Sequence, residues 1–168
     1  MHFFDVLKNR RSIRQYTDED IPTTNVELIL EAAMLAPSAC NTRPWEFYVV
    51  SSKEMRYKLA EIHPYAQHLK QAPLGIIVCG CPDKQKGKCS GYWPQDCGAA
   101  IQNMLLEAVN LGYGACWCGI YPNEERTQQI KELLNIDSVP VALVTLGVPD
   151  EEPNRRGFYD ASVVHYIR

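Results

Sequence analysis

Apolar residues recur along this chain with two periods, and the switches between them mark an alternation of helices and strands. Phe3, Phe4 and Leu7 share one side of a short predicted helix from Phe3 to Asn9. Pro22 and Thr24 open a second, with Thr24-x-x-Glu27 as a capping box, a Val26, Ile29, Leu30, Ala33 stripe, and Pro37 as its stop. Glu46 to Val50 reads as a strand, and Ser51-x-x-Glu54 is predicted to cap a third helix whose stripe is Met55, Leu59 and Ile62. Leu74 to Cys81 is wholly apolar, the pattern of a strand central to its sheet. Gln95 to Leu111 is apolar on most sides and reads as a core helix stopped by Gly112. A strand from Ala115 to Ile120 follows. Asn123 then caps a helix that carries Glu124 and Glu125 in its first turn and turns Ile130, Leu133 and Leu134 inward. Val139 to Gly147 is the fourth strand. Two stretches lack either period: Arg10 to Tyr16, and Pro82 to Pro94, whose prolines, glycines and lysines predict an exposed loop. No repeat or linker interrupts the pattern, so residues 1–168 read as one α/β (α+β) domain around a mixed sheet.

Composition narrows the function classes. The 168 residues are 46% apolar and 22% charged, which excludes a disordered chain. Net charge is −3, with a sequence pI near 5.8 and one short arginine cluster, so nucleic acid is not an expected partner. The longest apolar stretches, Leu74–Cys81 and Val139–Val148, fall well short of the roughly 20 residues of a membrane span, and membrane is not an expected partner either. Met1-His2-Phe3-Phe4-Asp5 has no basic segment leading into an apolar one, so the expected location is cytoplasmic.

Seven cysteines do not form a familiar framework. Cys79-x-Cys81, Cys89, Cys97, Cys116-x-Cys118 and a lone Cys40 match neither zinc nor iron–sulfur spacing, and the expectation is mostly reduced, mostly buried thiols with no metal. His2, His63, His68 and His165 show no ligand spacing. Gly112-Tyr113-Gly114 follows a helix and lacks the third glycine of a dinucleotide fingerprint, and Ser38 lies in no nucleophile elbow. Arg10-Arg11-Ser12-Ile13-Arg14 is the informative feature, with three guanidiniums and a hydroxyl in five residues. In an extended segment Arg10, Ser12 and Arg14 share a face, where guanidinium forks match phosphate oxygens; pairing with Asp18, Glu19 and Asp20 is the competing explanation. Pro37 to Trp45 frames small polar residues between prolines and offers donors from Ser38 and Asn41.

In this order, Arg10-Arg11-Ser12-Ile13-Arg14, Ala36-Pro37-Ser38 with Asn41-x-Arg43-Pro44-Trp45, and Glu46-Phe47-Tyr48-Val49-Val50 resemble the flavin-dependent nitroreductase family. The likeness runs on through Ala99–Leu106, Gly112–Trp117 and Leu146-Gly147-Val148-Pro149, across essentially the whole chain. It implies a three-layer fold, a mixed central sheet flanked by helices, and an intertwined homodimer with FMN at the subunit interface. The implied activity is an FMN-dependent NAD(P)H oxidoreductase in which NADH or NADPH reduces the flavin and a small nitroaromatic or quinone-like acceptor reoxidises it. One shared flavin face predicts ping-pong hydride transfer through N5, with no catalytic side chain. By resemblance, Arg10, Ser12 and Arg14, with Arg11 beside them, hold the phosphate, ribityl and pyrimidine edge. Reduced flavin carries negative charge at N1–O2, which a fixed cation such as Arg14 stabilises. Pro37, Ser38, Ala39 and Asn41 would approach the other subunit's flavin, Cys118 and Gly119 would lie near N5 and O4, and Arg155 and Arg156 would reach the phosphate. The chain lacks the long helical insertion of larger members, which makes Pro82–Pro94, with Tyr92 and Trp93, the candidate lid. Arg43 stands where many relatives carry glutamine, and Phe158 occupies an expected basic position. The alternatives are a flavin-binding or storage protein without turnover, a relative with dehalogenation or azoline-oxidation chemistry, and a thiol-rich metal protein.

Overall fold

The structure, a computed structural model, describes residues 2–154 and 157–168. Among them, the helices are α1 (Phe3–Asn9), α2 (Thr23–Met34), α3 (Lys53–Ile62), α4 (Trp93–Asn110) and α5 (Glu124–Leu134). The strands are β1 (Trp45–Val50), β2 (Leu74–Gly80), β3 (Gly114–Gly119) and β4 (Val139–Gly147), in the spatial order β1-β2-β4-β3. Every residue of β2 is buried, as its unbroken apolar run requires of a strand paired on both sides. Alternation along the sheet then sorts side chains into two cores. Ile76, Val78, Val144 and Leu146 meet Ile29 of α2 and Ile101 and Met104 of α4. On the other face Ile77, Leu143, Cys116 and Cys118 meet Leu59 of α3 and Ile130 of α5. The result is three layers, helices on both faces of one sheet.

The sheet departs from the expected mixed pairing: all three pairs of neighbours are antiparallel. The excursions through α3 and α5 return the chain to the end of the sheet it left, which reverses strand direction. The parallel component is confined to a single bridge between Ser12 and Ala115.

Two caps also move, by two residues in α2 and by one in α3. Helix α2 starts at Thr23 with Pro22 as N-cap and no side-chain cap bond, so Thr24 sits inside the first turn and the Thr24–Glu27 capping box does not form. In α3 it is Ser52, not Ser51, whose hydroxyl accepts from Met55 N. Asn123 caps α5 as expected, accepting from Arg126 N at 2.8 Å. Helix α4 ends against Gly112, whose φ of +87° is the left-handed stop that glycine supplies.

Pro82–Pro94 is more closely tied than an exposed loop. Its middle forms two short 3-10 turns, Pro82–Lys84 and Gly87–Cys89, and Gln85 and Cys89 are buried. Its last two residues belong to α4, because proline is tolerated in a first helical turn.

Candidate active site

The arginine segment leaves α1 when Arg10 N closes the helix onto Val6 O, and then runs extended along β3. Ile13 N donates to Ala115 O at 3.0 Å and the Ile13 side chain is buried beside Gly114. A Cβ on Gly114 would lie 2.8 Å from that side chain, and one on Gly147 2.7 Å from the Tyr16 ring, so both positions need glycine for the segment to lie this close. Tyr16 is buried; its hydroxyl donates to Ile13 O and pairs with Thr145 Oγ1 at 2.7 Å, and desolvation raises its pKa. On the opposite side, residues 148–151 clamp the segment. Thr17 N donates to Val148 O, Asp150 N to Gln15 O, and the Glu151 carboxylate accepts from the amides of Arg14 and Gln15.

Burying Ile13 turns its neighbours outward, so Arg10, Ser12 and Arg14 fall on the other side of the extended segment. Among the described residues neither the Arg10 nor the Arg14 guanidinium meets a carboxylate or carbonyl. Pairing with Asp18, Glu19 and Asp20 does not occur. Arg11 points elsewhere: its Nε donates to Asn154 O at 2.9 Å, and it lines a separate cleft of about 340 Å³ with Glu151 and Glu152. Arg14 lines a cavity of about 310 Å³ with His63, Tyr65, Cys118 and Gly119.

Cys118 and Gly119 end β3 on that cavity. The Gly119 carbonyl accepts from His63 Nε2 at 2.8 Å and from Arg126 at 3.0 Å. His63 is 2% exposed, and burial holds its pKa below the usual imidazole value, so a neutral ring donates through Nε2. Cys116 and Cys118 lie side by side. Cys116 is held well below the ordinary thiol value by the hydrogen bond from Cys118, which is pushed up in turn, and the Arg14 charge favours both thiolates. Burial above all, with neighbouring acidic groups and thiols adding to it, pushes Cys79 and Cys97 up to about 12, the condition of inert core thiols.

The Pro37–Trp45 loop is held from behind. Ala39 N donates to both oxygens of the buried Asp96 carboxylate at 3.1 Å, Gln85 Nε2 donates to the same group at 2.7 Å, and Ser38 Oγ accepts from Arg43 N at 2.9 Å. Cys40, Asn41 and Arg43 adopt left-handed φ values of 51°, 53° and 48°. Cys40 is bonded to Cys89, a pairing the spacing does not announce within the mostly reduced set expected, and the bond ties the loop to the Pro82–Pro94 segment. The other five cysteines are free. Pro37 and Asn41 are exposed, and none of the described clefts is lined by both this loop and Arg10, Ser12 or Arg14. Arg155 and Arg156 lie outside the described residues.

The sequence pattern of the Nitroreductase family matches residues 7–63 and 63–148, which takes in the arginine segment, the Pro37–Trp45 loop and all of the sheet. The chain belongs to the nitroreductase family. A Methanothermobacter thermautotrophicus nitroreductase relative, with the provisional name NADH dehydrogenase/NAD(P)H nitroreductase, is 44% identical over 167 residues, 98% of this chain and 86% of its own length. A Clostridium acetobutylicum crystal structure, provisionally described as an NADH oxidase, is 40% identical with a TM-score of 0.91, covering 98% of this chain and 99% of that one. A Desulfovibrio desulfuricans structure, provisionally called a nitroreductase and in complex with FMN, is 30% identical with a TM-score of 0.84, covering all of this chain and 98% of that one.

Within this nitroreductase frame, pattern reading missed Asp96, His63 and Arg126. Asp96 sits in the first turn of α4 and His63 caps α3; each reaches its partner through a contact more than 50 residues away in sequence. Their only local signal is a polar residue at the edge of an apolar stripe.

Proposed function

We infer that the chain is an FMN-dependent NAD(P)H oxidoreductase that reduces small nitroaromatic or quinone-like acceptors. The observation that carries this reading is the pair of guanidiniums, Arg10 and Arg14, that meet no carboxylate or carbonyl among the described residues and lie beside Ser12 on one face of a segment clamped between β3 and residues 148–151. Two fixed cations and a hydroxyl that compensate no protein charge fit the phosphate, ribityl hydroxyls and pyrimidine edge of FMN. Bound FMN supplies hydride transfer at N5. Arg14 would hold positive charge where the reduced ring gains negative charge, on a backbone that is fixed on both sides. His63 and Arg126 occupy the Gly119 carbonyl and so fix the peptide plane at the end of β3. With FMN bound, NAD(P)H and acceptor would share one face in turn, and the expected kinetics are ping-pong.

The homodimer belongs to the same proposal. Phe3, Phe4 and Leu35 are 66%, 57% and 76% exposed, and Phe158, Tyr159, Tyr166 and Ile167 of the terminal stretch lie in solvent. Apolar exposure on this scale is ordinarily covered by a partner. A second copy would bring Pro37, Ser38, Ala39 and Asn41 to the other subunit's flavin. Trp93 and Tyr121, with ring centroids 4.9 Å apart, support a wall for the acceptor pocket where Pro82–Pro94 enters α4. No described helix is long and apolar enough to cross a membrane. We place the protein in the cytoplasm, where NAD(P)H is generated.

The test is the visible spectrum of purified protein after FMN addition and desalting, followed by anaerobic NADH or NADPH. Retained flavin that bleaches with either nucleotide and recovers with a nitroaromatic or quinone is expected. Retained flavin that neither nucleotide bleaches overturns the oxidoreductase reading.

A further inference from the structure

Beneath β3 lies a cluster of two thiols and an imidazole to whose side chains the proposed flavin chemistry gives no role. Alternation puts the Cys116 and Cys118 side chains on one face of the strand, with Trp117 on the other. His68 approaches from the 3-10 turn Gln67–Lys70, its Nε2 3.6 Å from Cys118 Sγ. The donor atoms of His68, Cys116 and Cys118 all lie within 4.8 Å of one another, and both sulfurs are buried.

We propose that His68, Cys116 and Cys118 form a binding site for one soft, thiophilic metal ion. Ligand type argues for this class: two sulfurs and an imidazole without a carboxylate suit Zn²⁺, Cd²⁺ or Cu⁺ and not Mg²⁺ or Ca²⁺. Geometry agrees. Metal–sulfur and metal–nitrogen bonds of about 2.3 and 2.0–2.1 Å at tetrahedral angles set sulfur and nitrogen roughly 3.6 Å apart, the Cys118–His68 separation in this structure.

The ligands are placed in advance. Cys116 and Cys118 are fixed by the β3–β4 ladder, opposite Thr145 and Leu143. The turn that carries His68 is fastened by Arg56, whose guanidinium donates to the carbonyls of Leu69, Lys70 and Ala72, and by the His68 carbonyl accepting from Gln71 and Ala72 amides. A site that needs no ordering on binding keeps more of its intrinsic affinity. Cys116 and Cys118 are among the residues lining the cavity of about 310 Å³ that Arg14, His63 and Tyr65 share, so an ion has a path from that cavity to the cluster and a water can take the fourth position. Two thiolates balance a divalent charge. The histidine is supplied 48 residues before Cys116, so no contiguous spacing announces the set.

The test is equilibrium dialysis of the protein, before and after FMN loading, against Cd²⁺ and, separately, Zn²⁺, without thiol reductant, with bound metal counted per chain. X-ray absorption at the cadmium edge then reads the ligands. One ion per chain with two sulfur and one imidazole ligands is expected. His68→Ala removes a partly exposed side chain and should weaken binding by about 100-fold, at least what outer-shell losses cost. Cys118→Ser should change the sulfur count, and Cys81→Ser should change nothing. Failure of the wild-type protein to take up stoichiometric ion overturns the site. So does binding that survives His68→Ala undiminished, or that Cys81→Ser abolishes. Circular dichroism of each variant separates a lost fold from a lost ligand, and His68→Gln repeats the arm if His68→Ala unfolds.

Discussion

The arginine segment and the Pro37–Trp45 loop present candidate flavin-binding groups in opposite ways. The segment is fastened through its main chain, to β3 on one side and to residues 148–151 on the other, and its guanidiniums at Arg10 and Arg14 meet no carboxylate or carbonyl among the described residues. The loop is fastened largely through side chains. The Asp96 carboxylate, Ser38 Oγ and the Cys40–Cys89 disulfide hold a backbone with three left-handed residues that are not glycine. Such residues cost on the order of 1 kcal/mol each, and they persist only where neighbours over-determine them. Charge is thus kept available in one region, while shape is imposed on the other.

Breaking the loop's covalent tie should have the largest effect. The disulfide spans a sequence separation of 49, for which chain entropy predicts about 4 kcal/mol of stabilisation. Urea unfolding with and without reductant should therefore shift by that amount; coincident curves would mean that the hydrogen bonds to Asp96 suffice. The arginine segment should respond in binding and not in stability. Arg14→Ala should weaken FMN affinity roughly 30- to 150-fold, the loss of a charged hydrogen bond worth 2–3 kcal/mol. Because the side chain is exposed, unfolding of the flavin-free variant should stay within about 0.5 kcal/mol of wild type. A drop in stability without a change in flavin titration would reverse the contrast.

The smallest effect concerns His63, which belongs to neither region and holds the Gly119 carbonyl at the end of β3. Its pKa is lowered in the folded protein by burial, so below the ordinary 6.5 the unfolded chain binds the extra proton first. This share of stability is complete above about 6.5 and declines as pH falls toward the folded value, by at most about 1.4 kcal/mol per pH unit. His63→Gln keeps a donor for Gly119 and should flatten that slope; an unchanged slope would assign it to other groups.

The same contrast explains what could be read before the structure. The helices and strands were legible because period and burial are local properties, and the sharing of a face by Arg10, Ser12 and Arg14 followed from simple alternation. The all-antiparallel pairing was not legible, since strand direction depends on where α3 and α5 deliver the chain. Cap positions slipped by one residue at Ser52, and at Thr24 the capping box failed because Pro22 already occupies the boundary. The Cys40–Cys89 bond, Asp96 beneath Ala39 and the meeting of His68 with β3 join positions 48 to 57 residues apart. Spacing rules built for contiguous motifs pass over all three.

Gly114 and Gly147 carry a further consequence for anyone reshaping this protein. Any side chain at either position would lift the Ile13–Tyr16 stretch off the sheet and carry Arg14 with it. The two glycines therefore act as a depth stop for the cationic rim. A library aimed at new acceptors has freedom at Tyr92 and Arg43, which are exposed, and almost none at two residues that bear no side chain at all.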